Sequence, residues 1–93
     1  MTNHDLVLNI AVNLGRLSRW VAEGRIARVP QFLADTEIYL DQLEKAPKSE
    51  KFNKTFNLFK NKFHYLKSKN LDEIWADDAL TWANILTHRA KLA

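Results

Sequence analysis

The sequence predicts an all-α protein, an up-down-up-down antiparallel four-helix bundle, and three observations carry that expectation. Phe52, Phe56, Phe59, Phe63 and Leu66 recur at alternating steps of four and three, an unbroken apolar seam along one helical face. Only two glycines and two prolines punctuate 93 residues, so few turns and long helices follow. The break in periodicity around Asn70 is so short that the helices on either side of it form a hairpin. Ninety-three residues make one domain, close to the size at which a single core suffices without staples.

Helix one is expected over residues 5–23, with Asn3 or Asp5 capping its start and Gly24 ending it. Leu6, Ile10, Leu14, Leu17, Trp20 and Val21 form its core stripe. A second strip lies opposite: Leu8, Ala11, Val12 and Gly15, small and branched residues where a helix burying one side alone is polar. Two explanations are open for it. Either it is a contact surface for a second copy of the chain, or helix one is central and buries both sides; a contact surface is expected, which implies a homodimer.

Helix two is expected over 30–45, with Pro30 in its first turn. It presents Val29, Phe32, Leu33, Tyr39, Leu40 and Leu43, and Thr36 within that stripe bonds its hydroxyl to the preceding turn. Helix three follows over 49–69 behind Ser49 as its cap. Helix four spans 71–91 with Asn70 as cap and Glu73 as its capping-box partner, burying Leu71, Trp75, Ala79, Trp82, Ile85 and Leu86. At 16–21 residues the four are each about 24–32 Å long and match one another. Asp78 falls between Ile74, Trp82 and Ile85, inside the apolar stripe, so it needs an Arg or Lys from a neighbouring helix.

The net charge of +3 is unevenly spread. Lys48–Lys69 holds seven lysines and one acid, for +6, whereas 30–45 carries −3 and 71–93 carries −2. A basic helix between acidic ones fixes neighbours in a bundle, which places part of this charge inside the fold. Cysteine is absent and no run approaches the ~18–20 apolar residues of a membrane span, so no membrane is implied. The start, Met1-Thr2-Asn3-His4-Asp5, lacks the basic stretch of a signal peptide, giving the expectation of an unprocessed cytoplasmic protein.

Catalytic and metal chemistry lack their residue patterns. None of His4, His64 and His88 has a glutamate three residues before it, and no His-x-x-x-His pair occurs, so no metal and no cofactor are expected. There is no Gly-x-Ser-x-Gly elbow, no cysteine nucleophile and no glycine-rich phosphate loop, and the chain is read as non-enzymatic. Two basic surfaces remain. Lys51, Lys54, Lys62, Tyr65 and Lys69 run along helix three opposite the phenylalanines, and Arg16, Arg19, Arg25 and Arg28 surround the first corner. Both suit an acidic protein partner or ligand. Lysines interleaved with a tyrosine also suit a phosphate backbone with a stacked base, which makes nucleic-acid binding the alternative for helix three.

The string His64-Tyr65-Leu66-Lys67-Ser68 resembles the His-x-Leu-Lys-Gly pattern of histidine-containing phosphotransfer domains, four-helix bundles that pass a phosphoryl group between an exposed histidine and a receiver aspartate. The resemblance spans five positions and implies His64 as phosphoacceptor and Lys67 as support for the phosphoryl oxygens. Ser68 stands where that family has its glycine. The sequence reading is thus a small interaction module that self-associates through helix one and binds an acidic partner through its basic faces, with phosphotransfer as a further alternative.

Overall fold

A computed structural model describes all 93 residues as four α-helices and no strand: α1 (Asn3–Ala22), α2 (Val29–Lys45), α3 (Glu50–Ser68) and α4 (Glu73–Arg89). A 3-10 turn, Ala90–Leu92, follows. The helices pack as a bundle with extents of 37 × 20 × 19 Å. No helix is long and apolar enough to cross a membrane.

Each helix begins where a side chain can accept from its unpaired N–H groups, with one exception. Thr2, rather than Asn3 or Asp5, caps α1: its hydroxyl accepts from the Asp5 N–H at 3.1 Å, and the Asp5 carboxylate accepts from the Thr2 N–H at 3.2 Å, a closed capping box. Ser49 caps α3 as its sequence position suggests. For α4 the cap is Asp72, which accepts from the Trp75 N–H at 2.9 Å; Asn70 stays in the corner and Leu71 beside it is exposed. The exception is α2, where Arg28 precedes the helix without a side-chain cap and Pro30 supplies the turn.

Helix ends are closed just as specifically. Gly24 adopts φ +72°, a conformation side-chain-bearing residues avoid. The N–H groups of Arg25 and Gly24 then reach back to the carbonyls of Trp20 and Val21, a Schellman motif at the end of α1. Lys48 closes α2 from the far side of its corner, its ammonium donating to the carbonyls of Leu43, Glu44 and Ala46 at 2.8–3.1 Å and lying over the Phe56 ring.

The phenylalanine seam is the centre of the core: Phe52, Phe56, Phe59, Phe63 and Leu66 are all at most 1% exposed. Opposite them α1 buries a wider face than one stripe, adding Val7, Ala11, Asn13 and Ser18 to Leu6, Ile10, Leu14, Leu17 and Val21. The width follows from its position, because α1 packs against both α2 and α4. Asn13 donates to the Thr36 hydroxyl, which donates in turn to the Phe32 carbonyl, and Ser18 donates to the Ala76 carbonyl, so the polar groups enclosed by this packing are all paired.

Helix α4 is rotated from its expected orientation. Trp75, Ala76, Ala79, Ala83 and Leu86 are buried, Trp82 and Ile85 are only half-buried, and Ile74 is 69% exposed. Small side chains, Ala76, Ala79 and Ala83 on α4 with Ala90 in the turn after it, let this part of the chain lie close along α1, and this draws the larger residues toward the rim. Asp78 is carried with them to a half-buried position, where Lys62 of α3 meets its carboxylate at 3.4 Å.

Candidate functional site

The structure treats the two basic surfaces differently. On α3 most of the lysines already have partners. Lys60 donates to Glu44 at 2.8 Å and Lys67 to Glu37 at 2.7 Å, both on α2, while Lys62 meets Asp78 on α4. Tyr65 is flanked by Lys62 and Lys69, whose ammonium groups sit 4.9 and 4.7 Å from its ring centroid, where a stacked base would compete with them. Of the expected basic face, Lys51, Lys54 and Lys69 are exposed and without an ion pair, and Lys62 is paired with Asp78. His64 is exposed, but Lys67, the residue that would steady a phosphoryl group there, is held by Glu37.

The helix-one strip divides. Ala11 is 4% exposed within the core and Leu8 packs half-buried against it; Gly15 is half-buried, and Val12 alone points outward at 51% exposure. A Cβ added at Gly15 would meet nothing within 4 Å, so no helix of this chain depends on that glycine for close approach. The expected contiguous apolar surface is therefore absent, because α1 lies between α2 and α4 and uses much of the strip inside its own fold.

The first corner is where cations stay free around a concavity. Residues 24–28 leave the Schellman turn, cross the end of the bundle and enter α2 at Val29, which is 1% exposed and anchors the return. Trp20, Gly24, Arg25, Ile26, Ala27 and Arg28 line a half-open cleft of about 550 Å³. Gly24 and Ala27 contribute almost no side chain, which is why space exists there. Trp20 forms one wall, its indole held edge-on against Phe32 with centroids 4.8 Å apart, and Ile26 stands 53% exposed.

Two guanidinium groups, those of Arg25 and Arg28, line the cleft, and Arg16 and Arg19 lie in the last turns of α1 before it. Arg16 lies 5.9 Å over the Phe32 ring, and Arg25 touches only Glu23, at 3.4 Å between two solvated side chains. Arg19 and Arg28 have neither an ion pair nor a side-chain hydrogen bond. The N–H groups of Ile26, Ala27 and Arg28 find no acceptor in the protein, and the first turn of α2 holds no acid. The charged side chains that line the cleft, Arg25 and Arg28, are thus both cations. Guanidinium presents planar paired donors that match a carboxylate, so the chemistry on offer is anion binding beside an apolar wall.

Sequence reasoning found the four arginines but missed the cleft. It placed Trp20 in the core stripe and gave Ile26 no role; the available signal was a large apolar residue on each side of Gly24, where the helix must end. It also missed a smaller cavity of about 210 Å³ beside Tyr65 and Ile74, in which Asp72 and Asp78 are already engaged by the cap of α4 and by Lys62. Comparison of the chain with protein families, with curated proteins and with solved structures finds no match.

Proposed function

We propose that this chain is a small non-enzymatic interaction module that binds an acidic partner through the corner between α1 and α2. One observation carries the reading: Lys60, Lys62 and Lys67 of α3 are paired with acids of α2 and α4, while Arg25 and Arg28 line an open cleft with one solvated acid, Glu23, beside Arg25. Self-association through α1 is not part of it, since Ala11 is buried and Leu8 packs half-buried against the core. We take the scaffold to be an up-down-up-down antiparallel bundle. Contact pairs in opposite chain order support this: Trp20–Phe32 and Asn3–Pro47 between α1 and α2, Glu37–Lys67 and Glu44–Lys60 across α2 and α3, Leu66–Trp75 and Thr55–Arg89 across α3 and α4.

The test is a fluorescence titration with a glutamate-rich peptide at low and high salt, using three proteins of matched helicity. Wild type and Lys51→Gln/Lys54→Gln are expected to bind in a salt-sensitive manner, while Arg25→Gln/Arg28→Gln loses about tenfold or more. Loss in the lysine variant with retention in the arginine variant would overturn the assignment. Tighter binding of a single-stranded oligonucleotide, weakened by Lys62→Ala and Tyr65→Ala, would favour the nucleic-acid alternative.

A further inference from the structure

The cleft is more than a cluster of cations, and its apolar wall narrows what it receives. We infer that the element recognised at the α1–α2 corner is a peptide segment in which one bulky apolar side chain is flanked by carboxylates. The apolar residue seats between Trp20 and Ile26, and the carboxylates meet Arg25 and Arg28. This rests on the acidic-partner reading and specifies the partner's chemistry.

Three features point the same way. The volume, about 550 Å³, is in the range of pockets that enclose an organic group and exceeds what a lone carboxylate occupies. The apolar walls are presented rather than left over: Trp20 is fixed by its edge-on contact with Phe32, and Ile26 is exposed in a segment where neighbouring Val29 is buried. Finally, the two cations that line the cleft flank its exposed apolar residue in the chain. Arg25 and Arg28 bracket Ile26 and Ala27 in the chain, so anions on both sides of a single anchor match them. An extended phosphate backbone would call for cations spaced along a groove, which this corner does not offer.

Three labelled peptides of equal length separate the possibilities: acidic with a central Phe, acidic with a central Ser, and uncharged with a central Phe. Each is titrated against wild type, Ile26→Ser and Ala27→Leu; both altered positions are solvent-exposed, and circular dichroism checks that helicity is retained. For wild type the acidic Phe peptide is expected to bind about tenfold tighter than the acidic Ser peptide, the gain from enclosing part of one apolar side chain. Removing the wall with Ile26→Ser, or filling the cleft with Ala27→Leu, should erase most of that difference while leaving the Ser peptide unchanged. Equal binding of the two acidic peptides to wild type would overturn the anchor and leave the acidic-partner reading standing. If neither acidic peptide binds, or the uncharged Phe peptide binds as well as the acidic one, both fall.

Discussion

Trp75 closes the end of a helix to which it does not belong. It is 2% exposed, and its indole N–H donates at 2.8 Å to the carbonyl of Leu66, in the last turn of α3, where no intrahelical donor exists. Trp75→Phe keeps most of the apolar contact and removes the donor. The buried carbonyl left behind should cost about 1–3 kcal/mol in urea unfolding. A loss within about 0.5 kcal/mol, the level of an indifferent surface change, would mean that water serves Leu66 just as well. At this scale the sequence is legible where interactions are local. The Thr36 hydroxyl bonds to Phe32 one turn back, as spacing alone requires. Trp75 as a core residue was also readable, but its indole partner was not, because Leu66 lies across a corner whose path no periodicity describes. Asp78 is intermediate: its need for a cation followed from its neighbours, and Lys62 supplies it, yet its half-buried position depends on how far α4 turns.

At the scale of helices, periodicity locates each element and caps decide its ends. The α1 cap carries a pH dependence of its own. Hydrogen bonds from the Thr2 backbone and hydroxyl hold the Asp5 carboxyl below its ordinary value of 3.8. A carboxylate whose folded pKa is depressed adds stability in full above its unfolded pKa, and that contribution disappears as pH falls through the folded value. Asp5→Asn should therefore lower the urea midpoint at pH 6, with the gap to wild type closing as pH drops below about 4. A gap unchanged at pH 2 would show that the ionised carboxylate is not its source. The seam of α3 was fully legible because phenylalanines at steps of three and four admit one helical face. The orientation of α4 was not: Ala76, Ala83 and Ala90 carry little hydrophobic signal, although their small size is what allows close approach to α1. The second strip of α1 was ambiguous for a related reason. An apolar face reveals that something covers it, and Ala11 would look the same whether α4 or another chain did so.

Across the whole molecule, charge orders the helices as apolar pattern alone cannot. A seam of phenylalanines buries equally well against any apolar neighbour, whereas a run of +6 between segments of −3 and −2 favours one arrangement. That much of the basic charge is internal to the fold was readable from the segment totals. Which cations remain free was not, since it depends on the pairs Lys60–Glu44, Lys67–Glu37 and Lys62–Asp78 forming across helices. The two pairs between α2 and α3 offer a direct test. Each is partly exposed, so each contributes on the order of 0.5 kcal/mol and weakens in salt. Lys60→Glu/Lys67→Glu sets like charges against Glu44 and Glu37 and should lower stability in low salt by about 1 kcal/mol or more. Adding Glu37→Lys/Glu44→Lys restores both pairs with their signs exchanged, and the unfolding midpoint should return close to wild type. In 1 M salt, where the Debye length is about 3 Å, the three proteins should converge. Recovery in the quadruple variant places α2 and α3 side by side in opposite directions, because residue 37 must then lie by 67 while 44 lies by 60. Without recovery, the destabilisation belongs to the glutamates themselves, and charge pairing does not hold these two helices in register.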